Sequence, residues 1–265
     1  MPPRRVIDAT EQATQAREDH LVRISSRIGE ALRRLRDRVV VGITDAGLGA
    51  LQRQIQRLMA SLGMQTREFT REAIRQIAAE SALAIEIGQD IVDRPLLSAG
   101  QGVLAPDVTI PLLDTLAEYT ADRIRGLSGD LINQLSADLR LGALGIQSPG
   151  EVIASITAKL TASGTGGPAG SIAARAETIV RTELGRLHSL STQRRLEQAL
   201  ATTPDLQKEW RHSGNIRNPR DGHVAMSGVR IPVREYFQVA PTRGATRERM
   251  LHPLDPAASG RNTIR

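Results

Sequence analysis

His212, Asp221, His223, His252 and Asp255 crowd into the last quarter of the chain, and they are the residue types of a hydrolytic metal centre. Imidazole and carboxylate around a cation can activate water, but the spacings here match no metal-ligand motif. The alternative is structural: Trp210 fills a small core and His223 bridges turns by hydrogen bonds. Glu183 falls four residues after Ile179 and four before Leu187, on or beside the apolar face of a helix. A carboxylate there must be paired or hydrogen-bonded. Arg181, Glu183, Trp210 and His223 are therefore expected to form a structural polar network, with Glu183 holding an arginine or His223. No catalytic residue, metal or cofactor is assigned.

The second kind of chemistry is phosphate recognition. Lys208 to Arg265 holds 11 basic and 5 acidic residues, a net of +6, whereas the remainder balances at 24 of each. Arg211, Arg217, Arg220, Arg230 and Arg234 are the candidates for contact with nucleic-acid phosphates, which need charge and no base code. Only Lys159 and Lys208 are lysines, so 33 of the 35 basic residues are arginine. So uniform a bias looks like genomic base composition. The N-terminal arginines are expected on solvated helix faces, paired with glutamate or aspartate.

Composition narrows the fold. Aromatic residues make up 2% of the chain, and Trp210, Tyr236 and Phe237 concentrate beside the arginines, with Phe69 and Tyr119 elsewhere. The apolar content is mostly alanine, leucine and isoleucine, which suits helix-on-helix packing. Cysteine is absent, so disulfides and thiolate metal sites are excluded. The N-terminus has no apolar core after its charges, and no apolar run approaches the roughly 20 residues that span a bilayer. A soluble protein made in a cytoplasm is expected.

These residues must be held by elements that the periodicity outlines. Residues 1–20 lack a stripe and read as a flexible or partner-bound arm. Leu21, Ile24, Ile28, Ala31 and Leu35 step by three and four, and Leu51, Ile55, Leu58 and Leu62 repeat the pattern. Gly42, Gly47 and Gly49 lie between, giving a helical hairpin or one long helix with a weak middle. A third segment carries Ile74, Ile77, Ala78, Ser81, Ala82 and Ile85 and is expected to stop near Asp93–Arg94–Pro95. After a loop over 96–110, a fourth helix carries Leu113, Leu116, Thr120, Ile124, Leu127 and Leu131. Such stripes seek a neighbouring helix, from the same chain or from a second copy.

Leu141 to Gly145 reads as a hinge. Ser148–Pro149–Gly150–Glu151 is a capping box that starts a short helix to about Leu160. Residues 163–170 are glycine-rich but lack the Gly-Lys-Ser/Thr ending of a phosphate loop. A helix over 171–200, a short-strand unit over 208–240 and an irregular tail over 241–265 complete the chain. The expected architecture is mainly α, with a helical region over 21–145 and a smaller α+β domain over 146–265.

In order, Arg181–Thr182–Glu183, Lys208–Glu209–Trp210, Arg217, His223, Met226–Ser227–Gly228, Ile231–Pro232, Glu235–Tyr236–Phe237 and Pro253 to Ser259 with Asn262 resemble the Mu F-like head morphogenesis family, minor head proteins of tailed phages. The resemblance covers roughly the chain from Ser148 onward. Family members often end in Cys-Arg-Cys after the asparagine, whereas this sequence ends Asn262–Thr263–Ile264–Arg265. The resemblance implies a virion protein inside the head near the portal, associating with portal protein, capsid interior and non-specifically with packaged double-stranded DNA. It implies a role in assembly and DNA delivery. The narrow N-terminal stripes add self-association through those helices as an expectation, and their lack of tryptophan and phenylalanine argues against stable membrane insertion. An enzyme on the C-terminal domain, nuclease or transferase, and an ejected protein acting at the host envelope are the competing readings.

Overall fold

The computed structural model describes residues 4–46, 48–101, 113–161, 171–211, 221–240 and 248–254. The protein is mainly α-helical, with a smaller C-terminal region of short antiparallel strands, as the composition predicts. The helices are α1 (Arg4–Ala46), α2 (Leu48–Ser98), α3 (Leu113–Ala143), α4 (Pro149–Leu160), α5 (Ile172–Ala199) and α6 (Asp221–Val224). The strands are β1 (Gln207–Glu209), β2 (Arg230–Pro232), β3 (Phe237–Val239) and β4 (Glu248–Met250). The compact units do not follow the expected sequential division near residue 145. An all-helical unit takes 21–80 and 112–183, and a strand-bearing unit takes 1–20, 81–111 and 184–265.

In the all-helical unit, α1 and α2 form an antiparallel hairpin. Arg27 pairs with Glu80 at 2.5 Å and Arg38 with Glu68 at 2.9 Å, so position rises along one helix as it falls along the other. The α1 stripe predicted from the sequence is the buried one: Leu21, Ile24, Ile28, Ala31 and Leu35, continued by Val39 and Ile43. Facing residues are Leu62, Thr66, Phe69, Ala73 and Ile77 of α2. Ile124, Leu127, Leu131, Leu135 and Leu139 give α3 the same three-and-four spacing, and Val152, Ile156 and Leu160 give α4 its buried face. Each such aliphatic side chain contributes roughly 1.5–3 kcal/mol through removal from water. Several polar groups in this interior are bonded: Asp138 accepts from Lys159 at 2.5 Å and from Ser155 at 3.1 Å, and Thr70 donates to Ser128 at 2.6 Å.

The helix ends are specified locally. α4 begins with the predicted capping box, the Ser148 hydroxyl accepting from Glu151 N and the Glu151 carboxylate accepting from Ser148 N. α3 runs through the expected hinge to Ala143 and stops where Gly145 turns to φ +71°, with Ile146 N donating to Leu141 O. Gly100 (φ +84°) closes α2 the same way, Gln101 N donating to Leu96 O. Both are Schellman turns, in which a left-handed residue lets the chain fold back onto the last carbonyls.

Several expectations need correction. The second and third helical segments are one helix, α2, because Thr66, Phe69 and Ala73 continue the buried face between the two aliphatic stripes. That helix also passes Pro95 and ends at Ser98. Proline costs the rung its missing N–H would make, yet its own carbonyl still accepts from Ala99 N at 2.9 Å. Residues 4–20, expected as an arm, are helical and bury Ala13 and His20. The tail expected to be irregular contains β4. The glycine-rich stretch 163–170 lies outside the described residues.

In the strand-bearing unit, β1 pairs with β2 (Lys208 opposite Ile231) and β3 with β4 (Phe237 opposite Met250), both antiparallel. Two-stranded sheets of this length are marginal alone. Here Trp210, Phe237, Val239 and Met250 form a shared core, with Met226, Val229 and Ile231 against it.

Candidate functional site

Trp210 organises the predicted site. Its N–H donates to Val229 O (2.9 Å) and its carbonyl accepts from Gly228 N (2.8 Å), which fixes the indole at the end of the β1–β2 ladder. The ring meets Phe237 and His223 edge-on, with centroids at 5.1 and 5.5 Å. Such T-shaped contacts set the positive edge of one ring against the negative face of another. His223 sits on α6, the short turn carried by residues 221–224. Gly222 beside it is buried, and a Cβ there would lie 2.2 Å from Ala240 O, so the turn packs directly on backbone. Trp210 and His223 are thus brought together.

Glu183 belongs to the all-helical unit, where it is 3% exposed and lies 3.8 Å from the guanidinium of Arg123 on α3. This buried carboxylate does face an arginine, one that the sequence did not single out. Arg181 is half-exposed and 4.0 Å from Glu177, one turn earlier on its own helix.

Of the five candidate phosphate-contacting arginines, Arg217 and Arg220 lie outside the described residues. Arg211 and Arg230 share one carboxylate: Glu209 accepts from them at 3.2 and 2.7 Å. Burial pushes the Glu209 carboxyl up, but the hydrogen bonds from Arg230 and Arg211 outweigh it and hold the group below its usual range. Two cations around one anion leave a positive surplus, and their side chains remain 47% and 61% exposed. Arg234 is exposed on the turn between β2 and β3. Arg249, not anticipated because β4 was not, stacks over the exposed Tyr236 ring at 4.8 Å.

Of the hydrolytic set, His212 and Asp255 lie outside the described residues, and His252 is buried with Nδ1 2.9 Å from Pro253 O. Among the described residues, no group of three or more histidines and carboxylates is placed to hold a metal ion.

Two polar clusters carry no signal in the sequence. Lys208 is buried, its ammonium donating to Leu251 O (2.7 Å) and Gln193 Oε1 (3.2 Å) and lying 5.3 Å from the Phe237 ring centre. Gln193 in turn donates to Val233 O at 3.0 Å, so one amide ties α5 to β1 and to the turn that follows β2, while Lys208 itself reaches the end of β4. His20 and His188, from α1 and α5, are also buried and meet at 3.0 Å. Each is a lone histidine in its helix, and 168 residues separate them.

No family model, no curated protein and no solved structure matches this chain. Among the described residues, no helix is long and apolar enough to cross a membrane.

Proposed function

We propose that this protein is a minor head protein of a tailed phage, acting inside the capsid through contacts with the portal protein and packaged DNA rather than through catalysis. The observation that carries the reading is the net +6 of the last 58 residues together with exposed Arg211, Arg230 and Arg234 on a small strand-bearing fold. Guanidinium groups with spare donors suit phosphate oxygens, and a surface that needs only phosphates binds any sequence. The ordered motifs from Arg181 to Asn262 support the same reading. In the all-helical unit, long amphipathic helices suit a helical partner such as a portal surface.

Co-expression with the portal protein of the same genome tests this reading, followed by size-exclusion chromatography with light scattering. A stable complex of portal ring and a few copies is expected. A well-folded chain that never associates with portal sinks the reading and makes nuclease assays with divalent metal the next step. Alanine at His223 provides a second test: a structural role lowers stability, whereas a folded but inactive variant indicates an enzyme.

A further inference from the structure

The balanced charge of the first 207 residues hides a strongly uneven distribution. Residues 21–80, the α1–α2 hairpin, hold eleven arginines against six carboxylates, a net of +5. The structure shows how that excess is presented. Glu30, Asp37, Glu68, Glu72 and Glu80 each lie within ion-pair distance of an arginine, respectively Arg33, Arg36, Arg38, Arg75 and Arg27. Arg23, Arg34, Arg57, Arg67 and Arg71 are exposed and have no carboxylate partner among the described residues.

These arginines fall into stripes. Arg23, Arg27, Arg34 and Arg38 are spaced by four, seven and four, which places them within about 60° of one another around α1. Arg57, Arg71 and Arg75 share a face of α2 by the same rule, and Glu68 lies on it. The Arg38–Glu68 ion pair therefore joins the two stripes edge to edge. Arg23 to Arg38 spans about 22 Å at the helical rise, the length of more than half a turn of duplex DNA. Exposed ion pairs such as Arg38–Glu68 are worth little and yield readily to a phosphate competitor.

We infer that the α1–α2 hairpin is a second nucleic-acid surface, one that binds the phosphate backbone of duplex DNA independently of the C-terminal arginines. An anionic membrane is the less suitable partner. Phe69, the one aromatic residue between 21 and 80, is buried, and an interfacial helix needs exposed rings or leucines on its apolar side.

The test is titration of a fluorescent duplex of about 30 base pairs with the full chain over a range of salt. The hairpin variant carries Arg23→Gln, Arg34→Gln, Arg57→Gln and Arg71→Gln; a C-terminal variant carries Arg230→Gln and Arg234→Gln. Glutamine keeps helix propensity, and circular dichroism confirms folding. Each phosphate interaction removed should flatten the slope of log Kobs against log salt by about 0.9, so the hairpin variant, with four arginines removed, should show a slope shallower by up to about 3.6. An unchanged slope and affinity in the hairpin variant overturns the inference, while a drop in the C-terminal variant alone leaves the C-terminal reading standing. A drop in the hairpin variant alone supports the inference and removes the C-terminal assignment. Hairpin-dependent binding to phosphatidylserine vesicles with duplex binding unaffected also overturns it, making the face a membrane contact.

Discussion

His20 Nδ1 and His188 Nε2 face each other at 3.0 Å with both rings fully buried, so one nitrogen donates and the other accepts. The pair can hold one proton across that contact but not an added charge. Burial, then the Arg17 guanidinium, then His20 itself push His188 down to about 2. Arg17 shares the strain: burial lowers its affinity for a proton, partly offset by Glu18, and its Nε has no hydrogen-bond partner among the described residues. A histidine whose folded pKa lies below its unfolded value favours the native state fully above the unfolded value. That contribution is lost as pH falls through the window between the two. Stability should therefore decline from about pH 6.5 downward, by roughly 2 kcal/mol at pH 5, at up to about 1.4 kcal/mol per pH unit. Urea denaturation at pH 7.5, 6 and 5 measures the decline. His188→Gln should flatten it, and a wild-type midpoint that is level across this range would contradict the buried neutral pair.

Gly88 of α2 meets α5 more closely than any side chain would allow. A Cβ there would lie 1.8 Å from Ser191 Oγ and 2.6 Å from His188 O, and Thr192 donates to the Gly88 carbonyl at 2.8 Å. Glycine in a helix interior normally costs about 1 kcal/mol relative to alanine, so Gly→Ala is usually stabilising. At Gly88 the sign should reverse, with Gly88→Ala destabilising by about 3 kcal/mol or more through overpacking against backbone. Gly126 and Gly129 of α3 have nothing within 4 Å of the added carbon, so alanine there should raise stability by about 0.5–1 kcal/mol. Chemical denaturation of the three variants provides the comparison, and equal effects at Gly88 and Gly126 would refute the close helix approach.

Lys208 is the only lysine in the strand-bearing region, and it is spent on the interior. Lys208→Met keeps the aliphatic stem but removes the donor to Leu251 O and Gln193 Oε1. Buried acceptors that lose a charged donor cost about 1.5–3 kcal/mol. Gln193→Leu should be similarly costly because the same amide also serves Val233 O. The two changes touch one network, so the double variant should lose less than the sum of the singles, with a coupling of about 0.5–3 kcal/mol. Strict additivity in denaturation would show that the contacts act separately.

What the sequence reveals follows the apolar signal. Leu21 to Leu35 announces α1 because each buried position is aliphatic, and Ser148–Glu151 announces α4 because a cap is a local structure. The union of the two segments of α2 is hidden because Thr66 and Ala73 are weak markers of burial. Residues 4–20 conceal their helix likewise, burying Ala13 and His20 where leucines would have advertised a face. α5 buries Thr182, Glu183, His188, Ser189, Ser191, Gln193 and Arg195 along with its aliphatic residues, so polarity does not trace its interior. β4 is three residues long with Met250 as its one apolar side chain. In the candidate site, Trp210 is legible because so large a ring must be buried, whereas Arg123, the partner of Glu183, lies 60 residues away with nothing local to mark it. The hairpin's positive charge is in plain view, yet it cancels in a sum over the first 207 residues.

Trp210 is the chain's one tryptophan and is 4% exposed, so its fluorescence reports on the strand-bearing unit specifically. Trp210→Ala removes the ring that Phe237 and His223 pack against edge-on, and it should cost about 3–5 kcal/mol, enough to unfold this small core. Trp210→Phe retains an edge-to-face partner for Phe237 and should cost less than half as much. The all-helical unit has an aliphatic core of its own, with Ile24, Leu35, Ile124 and Leu131 buried in it. Trp210→Ala should consequently leave most of the helical circular dichroism in place while abolishing slow amide exchange at Lys208, Ile231 and Phe237. Loss of the helical signal in parallel would show that the strand-bearing core is needed to fold the whole chain.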